Sequence, residues 1–252
     1  MSMKNKKELG QNWLKNRTIL NEIARLAAEG DTEVGLCVEI GPGLGYLTSS
    51  LLRKFEKVIA VEYDSDLARK LPGSFPGTNL TVVNEDILKY DFSRINEPYV
   101  IVGNIPYYIT SPIIRKVLTL TNKPRRVVLL VQKEVAERIV NDKETMLSLF
   151  VKDYAKVTAD MVVPKEEFVP VPKVDSQVIV MESYERPLVD EKVFDLIKTG
   201  FKAPRKKLVH NLAGLRSREE LERIMEECGI LGDARPGDVG ISEWGKLAER
   251  LV

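Results

Sequence analysis
The stretch "GLCVEIGPGLGYLTSSLL", residues 35–52, reads as three pieces in a row: an apolar run, a glycine-rich turn and a helical run. Leu36 to Ile40 is apolar without strict alternation, the pattern of a strand covered on both faces. Gly41, Gly43 and Gly45 let the chain turn sharply and approach a ligand with no Cβ in the way. "YLTSSLLRKF" then carries helical spacing. A strand feeding a helix through a glycine turn is the opening unit of a wound α/β sheet.

The same rhythm continues outward from it. "KVIAVEYD", "LTVVNED", "YVIVGNIP" and "RRVVLLVQ" read as further strands, with "SDLARKL", "SPIIRKVLTL" and "KEVAERIV" as helices. Repeated strand–helix units predict a doubly wound, mostly parallel sheet. After Ala155 the rhythm changes. "KVTADMVVP" and "SQVIVMES" are two strands joined by the proline-rich loop "KEEFVPVPKVD" with no helix between them, which predicts an antiparallel pair at one edge. From about Pro187 the chain turns helical. Ser217 and Glu220 form a capping box before "LERIMEECG", Gly229 ends that helix, and "SEWGKLAERL" is a last one. The expected division is a main domain over residues 1–183 and a small C-terminal all-α domain over residues 184–252.

With 252 residues, 44% hydrophobic and 30% charged, the chain has an ordinary globular composition. No apolar run approaches the roughly 20 residues that span a bilayer. The first residues, "MSMKNKKELGQ", lack an apolar signal core. Two cysteines, Cys37 and Cys228, are too few for a disulfide framework or a structural zinc site, so no metal is expected. These features together point to the cytoplasm. The net charge of +1 hides two basic clusters: Lys4, Lys6, Lys7, Lys15 and Arg17 early, and Lys202, Arg205, Lys206, Lys207, Arg216 and Arg218 around His210 late. Two such patches on a balanced chain suit a polyanion. Either patch alone also reads as a merely solvated run.

In a wound sheet, ligands bind beyond the carboxyl ends of the strands near the switch point. The glycine spacing there is G-x-G-x-G, with Tyr46 where the dinucleotide fingerprint has its third glycine. That tight turn, stiffened by Pro42, is poorly suited to a pyrophosphate. Glu62 ends the next strand, and an acid there can accept both hydroxyls of an adenosine ribose. Asp86 follows the third strand, where a carboxylate can accept from an adenine amino group while the Ile87 backbone N–H meets ring N1. Each acid alone could be a helix cap. Glycine turn, acid, acid on successive strand ends resembles the class I S-adenosylmethionine-dependent methyltransferases. The resemblance implies their Rossmann-like sheet and S-adenosylmethionine as cofactor, a ligand with a cationic sulfur and no phosphate.

"NIPY", residues 104–107, ends the fourth strand. In methyltransferases acting on amino groups, an Asn or Asp followed by Pro and an aromatic occupies this place. The Asn104 side-chain oxygen and the Ile105 carbonyl can accept from an adenine N6 and aim its lone pair at the methyl. Pro106 fixes the backbone there. Tyr107 offers a face on which a flipped base stacks, worth roughly 1–3 kcal/mol. Phe168, on the loop stiffened by Pro170 and Pro172, is the candidate for the opposite face of the base.

Over nearly its whole length the chain resembles the ribosomal RNA adenine N6-dimethyltransferase family. "VEIGPGLGYLT", Glu62, "NEDIL", "NIPY", "LVQKEVAERI" and "FVPVPKVDSQVI" match in order. "ELGQNWL" is similar to the family's cofactor lid and implies contacts from Gln11, Asn12 and Leu14, with Trp13 where Phe is usual. "FKAPRKKLVHNL" implies RNA contacts from Arg205, Lys206 and Lys207. The implied activity is dimethylation of two neighbouring adenosines near the 3′ end of small-subunit rRNA on the immature subunit, by a monomer. A sister group methylates large-subunit RNA and confers antibiotic resistance; "PKVDSQ", with Asp175, and "RKKLVHNL" favour the small-subunit branch. A nucleic-acid-binding assembly factor is a further reading, opposed by the intact cofactor-binding set of Gly41, Glu62, Asp86 and Asn104; a small-molecule methyltransferase is opposed by the two basic patches.

Overall fold
The computed structural model describes residues 11–30, 34–141 and 143–251. Lys4, Lys6 and Lys7 of the early basic cluster lie outside them. The elements run β1 (Trp13–Leu14), α1 (Arg17–Ala28), β2 (Leu36–Ile40), α2 (Tyr46–Leu51), β3 (Lys57–Glu62), α3 (Ser65–Lys70), β4 (Leu80–Asn84), β5 (Tyr99–Asn104), α4 (Thr110–Leu118) and β6 (Arg126–Gln132). Then come α5 (Lys133–Val140), α6 (Met146–Tyr154), β7 (Ala155–Val163), β8 (Phe168–Val169), β9 (Ser176–Ser183), α7 (Glu191–Gly200), α8 (Leu208–Asn211), α9 (Arg218–Glu227) and α10 (Ile241–Leu251).

Seven strands form one sheet in the order β4-β3-β2-β5-β6-β9-β7. Strands β2 to β6 are mutually parallel, in the register Ile40↔Val61, Glu62↔Asn84 and Ile40↔Gly103. The chain winds outward from β2 to β4, then returns to lay β5 on the other side of β2. The switch point therefore lies between β2 and β5. Gly103 makes that junction possible: a Cβ there would sit 2.9 Å from Ile105 and 3.1 Å from both Cβ and O of Ile40. The two late strands expected as a pair, β7 and β9, are neighbours at the edge beyond β6; β9 runs antiparallel to β6, Arg126↔Glu182 through Gln132↔Ser176, and β7 is outermost.

Successive strand residues point to opposite faces. Cys37, Val100, Val102, Val128, Leu130 and Val178 pack with Leu20, Ile23, Ala24 and Ala27 of α1 and Leu47 and Leu51 of α2. Their neighbours Val38, Ile101, Leu129 and Ile179 are equally buried, so both faces are covered. This explains the unbroken apolar runs. Helix α1 is capped by Asn16, whose Oδ1 accepts from the backbone N–H groups of Thr18 and Ile19. Cys37 is a free thiol in this core.

The chain separates into two compact units: residues up to Ala136 with Val157–Ser183, and Glu137–Lys156 with Tyr184 onward. Residues 137–156, expected from the sequence in the first domain, group instead with the chain from Tyr184 onward. The reason is packing: Leu149 of α6 lies in the same core as Leu196, Leu208, Leu221, Met225 and Trp244. Backbone bonds reinforce it, from Leu188 N to Asp153 O and from Glu144 N to Gly237 O. Ser217 caps α9 by accepting from the Glu220 N–H, and Gly229 closes it at φ 77°. Among the described residues no helix is long and apolar enough to cross a membrane, and no group of three or more His, Cys, Asp or Glu is placed to hold a metal.

Candidate functional site
The carboxyl ends of β2, β3, β4 and β5 border one cavity of about 360 Å³. Gly41, Gly43, Glu62, Asp86, Ile87, Asn104, Ile105, Pro106 and Tyr107 all line it, as do Gln11, Asn12 and Leu14. The residues named from separate stretches of sequence therefore converge on one hollow.

Gly41, Gly43 and Gly45 hold φ of 65°, 58° and 82°, a region that costs an L residue roughly 1–2 kcal/mol. At Gly43 there is a second constraint, since a Cβ would lie 3.1 Å from the Trp13 indole nitrogen. Trp13 thus packs directly on the glycine turn. The Gly43 N–H donates to Glu62 Oε2 at 3.0 Å and the Asp64 N–H to Oε1 at 2.8 Å. Each oxygen keeps a further acceptor position. Burial raises the Glu62 carboxyl above its ordinary range, and these backbone donors oppose the rise. Asp64 in turn accepts from Gln11 Nε2 at 3.4 Å, drawing the segment before β1 toward the β3 end.

Asn104 is oriented by a contact that no local pattern shows. Its Nδ2 donates to the Asn12 carbonyl at 2.9 Å. A carbonyl can only accept, so the amide's NH₂ must face Asn12 and Oδ1 turns away from it. The Tyr107 hydroxyl shares a 2.8 Å hydrogen bond with Ser176 Oγ, which fixes the ring through β9. Asp175 staples the adjoining loop, accepting from the backbone N–H of Lys165 through Oδ1 and of Lys133 through its carbonyl.

One expected site residue is not at the cavity. Phe168 is 1% exposed and belongs to the core with Leu14, Leu20 and Val163. The cause is the β1–β8 pairing, Leu14↔Phe168, which turns both side chains inward. The exposed aromatics at the cavity are instead Tyr63 and Tyr108, the latter 64% exposed.

Glu39 is a further site residue, not among those expected from the sequence. It is 1% exposed and lines the cavity; Oε2 accepts from Thr48 Oγ1 at 2.6 Å, while Oε1 has no partner among the described residues. The signal was present, as an acid inside an otherwise apolar strand. Burial pushes its carboxyl up to about 8.

The lining includes Glu39, Glu62, Glu85 and Asp86 and, among the described residues, no Lys, Arg or His. With Glu39 holding its proton, the carboxylates of Glu62, Glu85 and Asp86 still make a lining that repels phosphate and favours a cation. A ligand with a sulfonium, an α-ammonium and a ribose diol matches it, so the residues fit S-adenosylmethionine. Arg205, Lys206 and Lys207 lie on the exposed loop before α8 in the second unit. Arg216 and Arg218 pair with Glu220 and Glu222 of α9, which leaves them less available to a polyanion than the sequence reading assumed.

The ribosomal RNA adenine dimethylase family model matches residues 2–252. A ribosomal RNA small subunit methyltransferase A from Clostridium acetobutylicum is 37% identical, covering 97% of this chain and 93% of that one. Its counterpart from Bacillus pumilus is 38% identical, covering 98% and 91%. Among solved structures, the 23S rRNA methyltransferase ErmE superposes with a TM-score of 0.80 at 27% identity, over 95% of this chain and 99% of that one. A dimethyladenosine transferase from Plasmodium falciparum gives 0.78 at 27%, over 93% and 95%. A match this long, at this identity, means that the chain belongs to the ribosomal RNA adenine dimethylase family.

Proposed function
We propose that this protein transfers methyl groups from S-adenosylmethionine to N6 of two adjacent adenosines near the 3′ end of small-subunit rRNA. It does so as a cytoplasmic monomer acting on the immature subunit, as a step of ribosome biogenesis. The observation that carries the reading is Asn104, held by the Asn12 carbonyl at the edge of an acid-lined cavity. The small-subunit branch is supported by the 37% identity to relatives named for that subunit, against 27% to the large-subunit enzyme.

When bound, S-adenosylmethionine supplies a methyl carbon made electrophilic by positive sulfur. Glu62 holds the ribose hydroxyls with its remaining acceptor positions, and the Asp86 carboxylate and Ile87 N–H read the adenine edge. Gln11, Asn12 and Leu14 close over the site, and Gly41 and Gly43 let the backbone approach. Asn104 Oδ1 and the Ile105 carbonyl accept from the target amino group and draw its nitrogen toward pyramidal geometry. Pro106, at φ −60°, sets the direction of the preceding carbonyl. Tyr107 stacks on the target base, and Tyr108 offers an exposed ring beside it. No general base is required, since the methylated nitrogen is cationic and sheds its proton to water. Arg205, Lys206 and Lys207 contribute phosphate contacts.

The test is transfer of tritiated methyl to immature small-subunit particles, followed by nucleoside analysis and mapping of the product. N6-dimethyladenosine at two neighbouring small-subunit positions is expected. Label in large-subunit RNA alone, or none from a protein that binds the cofactor, would overturn the reading.

A further inference from the structure
The stretch from Glu85 to Ile95 carries the Asp86–Ile87 turn, yet its only regular structure is a 3-10 turn over Phe92–Arg94. Asp86 starts a single helical turn: its carbonyl accepts from the N–H groups of Lys89 and Tyr90, and its Oδ1 from that of Leu88 at 2.9 Å. A lone turn leaves its last carbonyls without backbone donors. Here another element supplies the donor. The Lys116 ammonium, on α4, donates to the Leu88 carbonyl at 2.8 Å and to the Tyr90 carbonyl at 2.7 Å, 5.6 Å from the Phe92 ring centroid. Farther along, Asn122 Nδ2 donates to the carbonyls of Phe92 and Ile95. The segment is thus hung from two side chains, of which Lys116 holds the part that faces the cavity.

The charges around Lys116 reinforce this. Burial lowers the Lys116 ammonium below its ordinary range, and Asp86, Glu85 and Asp91 oppose that fall by favouring its charged form. The cation in turn offsets the mutual repulsion of three acids gathered on one short segment. Helix α4 follows directly on the Asn104–Tyr107 turn, so one helix ties together the two loops that border the cavity from β4 and β5.

We propose that Lys116 is a positioning residue, holding the Asp86–Ile87 turn where it reads a purine's 6-position and so setting the preference for a 6-amino over a 6-oxo cofactor. The proposal rests on the reading of the cavity as an adenosyl site. Without the ammonium, two carbonyls lose their donor and the acids repel, so the turn moves and the Asp86 carboxylate no longer meets the amino group. A 6-oxo purine, which that carboxylate repels, has little to lose from the same movement.

Calorimetric titration with S-adenosylhomocysteine and S-inosylhomocysteine tests this on the wild type, K116M, K116R and N122A. For K116M the Kd for the adenosyl ligand should rise roughly tenfold, with the inosyl ligand changing less than about twofold. K116R, which keeps a cationic donor, should recover most of the discrimination. N122A loses two comparable hydrogen bonds away from the cavity and should lower Tm while retaining the wild-type ratio. Should K116M fail to fold, K116Q serves in its place. Equal loss for both ligands, or no change in either, overturns the role of Lys116. A wild type that binds neither ligand sinks the adenosyl reading as well, a result distinct from failure of Lys116 alone.

Discussion
Replacing Glu39 with glutamine should alter how stability depends on pH. The carboxyl is buried against Thr48, and burial, helped by the neighbouring Glu62 carboxylate and opposed by the Thr48 hydroxyl, pushes it up to about 8. In the unfolded chain it ionises near its ordinary 4.5. Between those values the folded protein keeps a proton that the unfolded chain has released. The unfolded state then binds fewer protons, so stability falls as pH rises through that window. Each pH unit weighs about 1.4 kcal/mol, which gives up to about 3 kcal/mol between about pH 5.5 and about pH 7.5. A glutamine side chain there would be neutral throughout and still accept from Thr48, so E39Q lacks this component. Urea unfolding of the purified protein at several pH values measures it. The variant should gain on the wild type as pH rises, by about 3 kcal/mol over those two units. If the two stabilities fall in parallel, Glu39 does not hold a proton in the folded state and the reasoning is wrong.

Asn104→Ala should reduce methyl transfer by about 10²–10³ while S-adenosylhomocysteine still binds within a few-fold of wild type by calorimetry; unimpaired dimethylation would remove Asn104 from the chemistry. Phe168→Ala should cost about 3–5 kcal/mol in urea unfolding, as a core truncation does. Wild-type stability with lost RNA affinity would return that ring to the base-binding site. Changing Lys206 and Lys207 together to Ala should shrink the slope of log K against log salt for rRNA fragments by about 1.5 to 2, and an unchanged slope would place the RNA elsewhere.

The parts of the site that were legible in the sequence share a property: each sits where a strand stops. Gly41, Glu62, Asp86 and Asn104 interrupt or end apolar runs, and a polar residue in that position has few structural reasons to be there. Phe168 misled because an aromatic in a proline-rich loop looks the same whether its ring points to a cavity or to a core. Only the Leu14↔Phe168 register distinguishes the two, and it pairs residues far apart in the chain. Lys116 was invisible for a related reason. On its helix it is one of two basic residues in the last turn, beside Arg115, a place where lysine is common on dipole grounds alone. Residues 137–156 begin inside α5 and continue the strand–helix pattern after β6, and only the core that Leu149 enters assigns them to the second unit.

The sequence by itself determined the element order of the sheet from β2 to β6, the glycine turn and the acids at its strand ends. These follow from local conformational preference and from apolar periodicity, which act over a few residues. Tertiary structure decided what those groups are able to do. It placed β5 beside β2, set the Asn12 carbonyl against an amide 92 positions away, buried Phe168 and hung the Asp86 turn from Lys116. Each of these is a long-range closure, stable only once the sheet and its covering helices have removed water from both partners. That is why the residues of this site could be named from the chain, while their orientation waited on the fold.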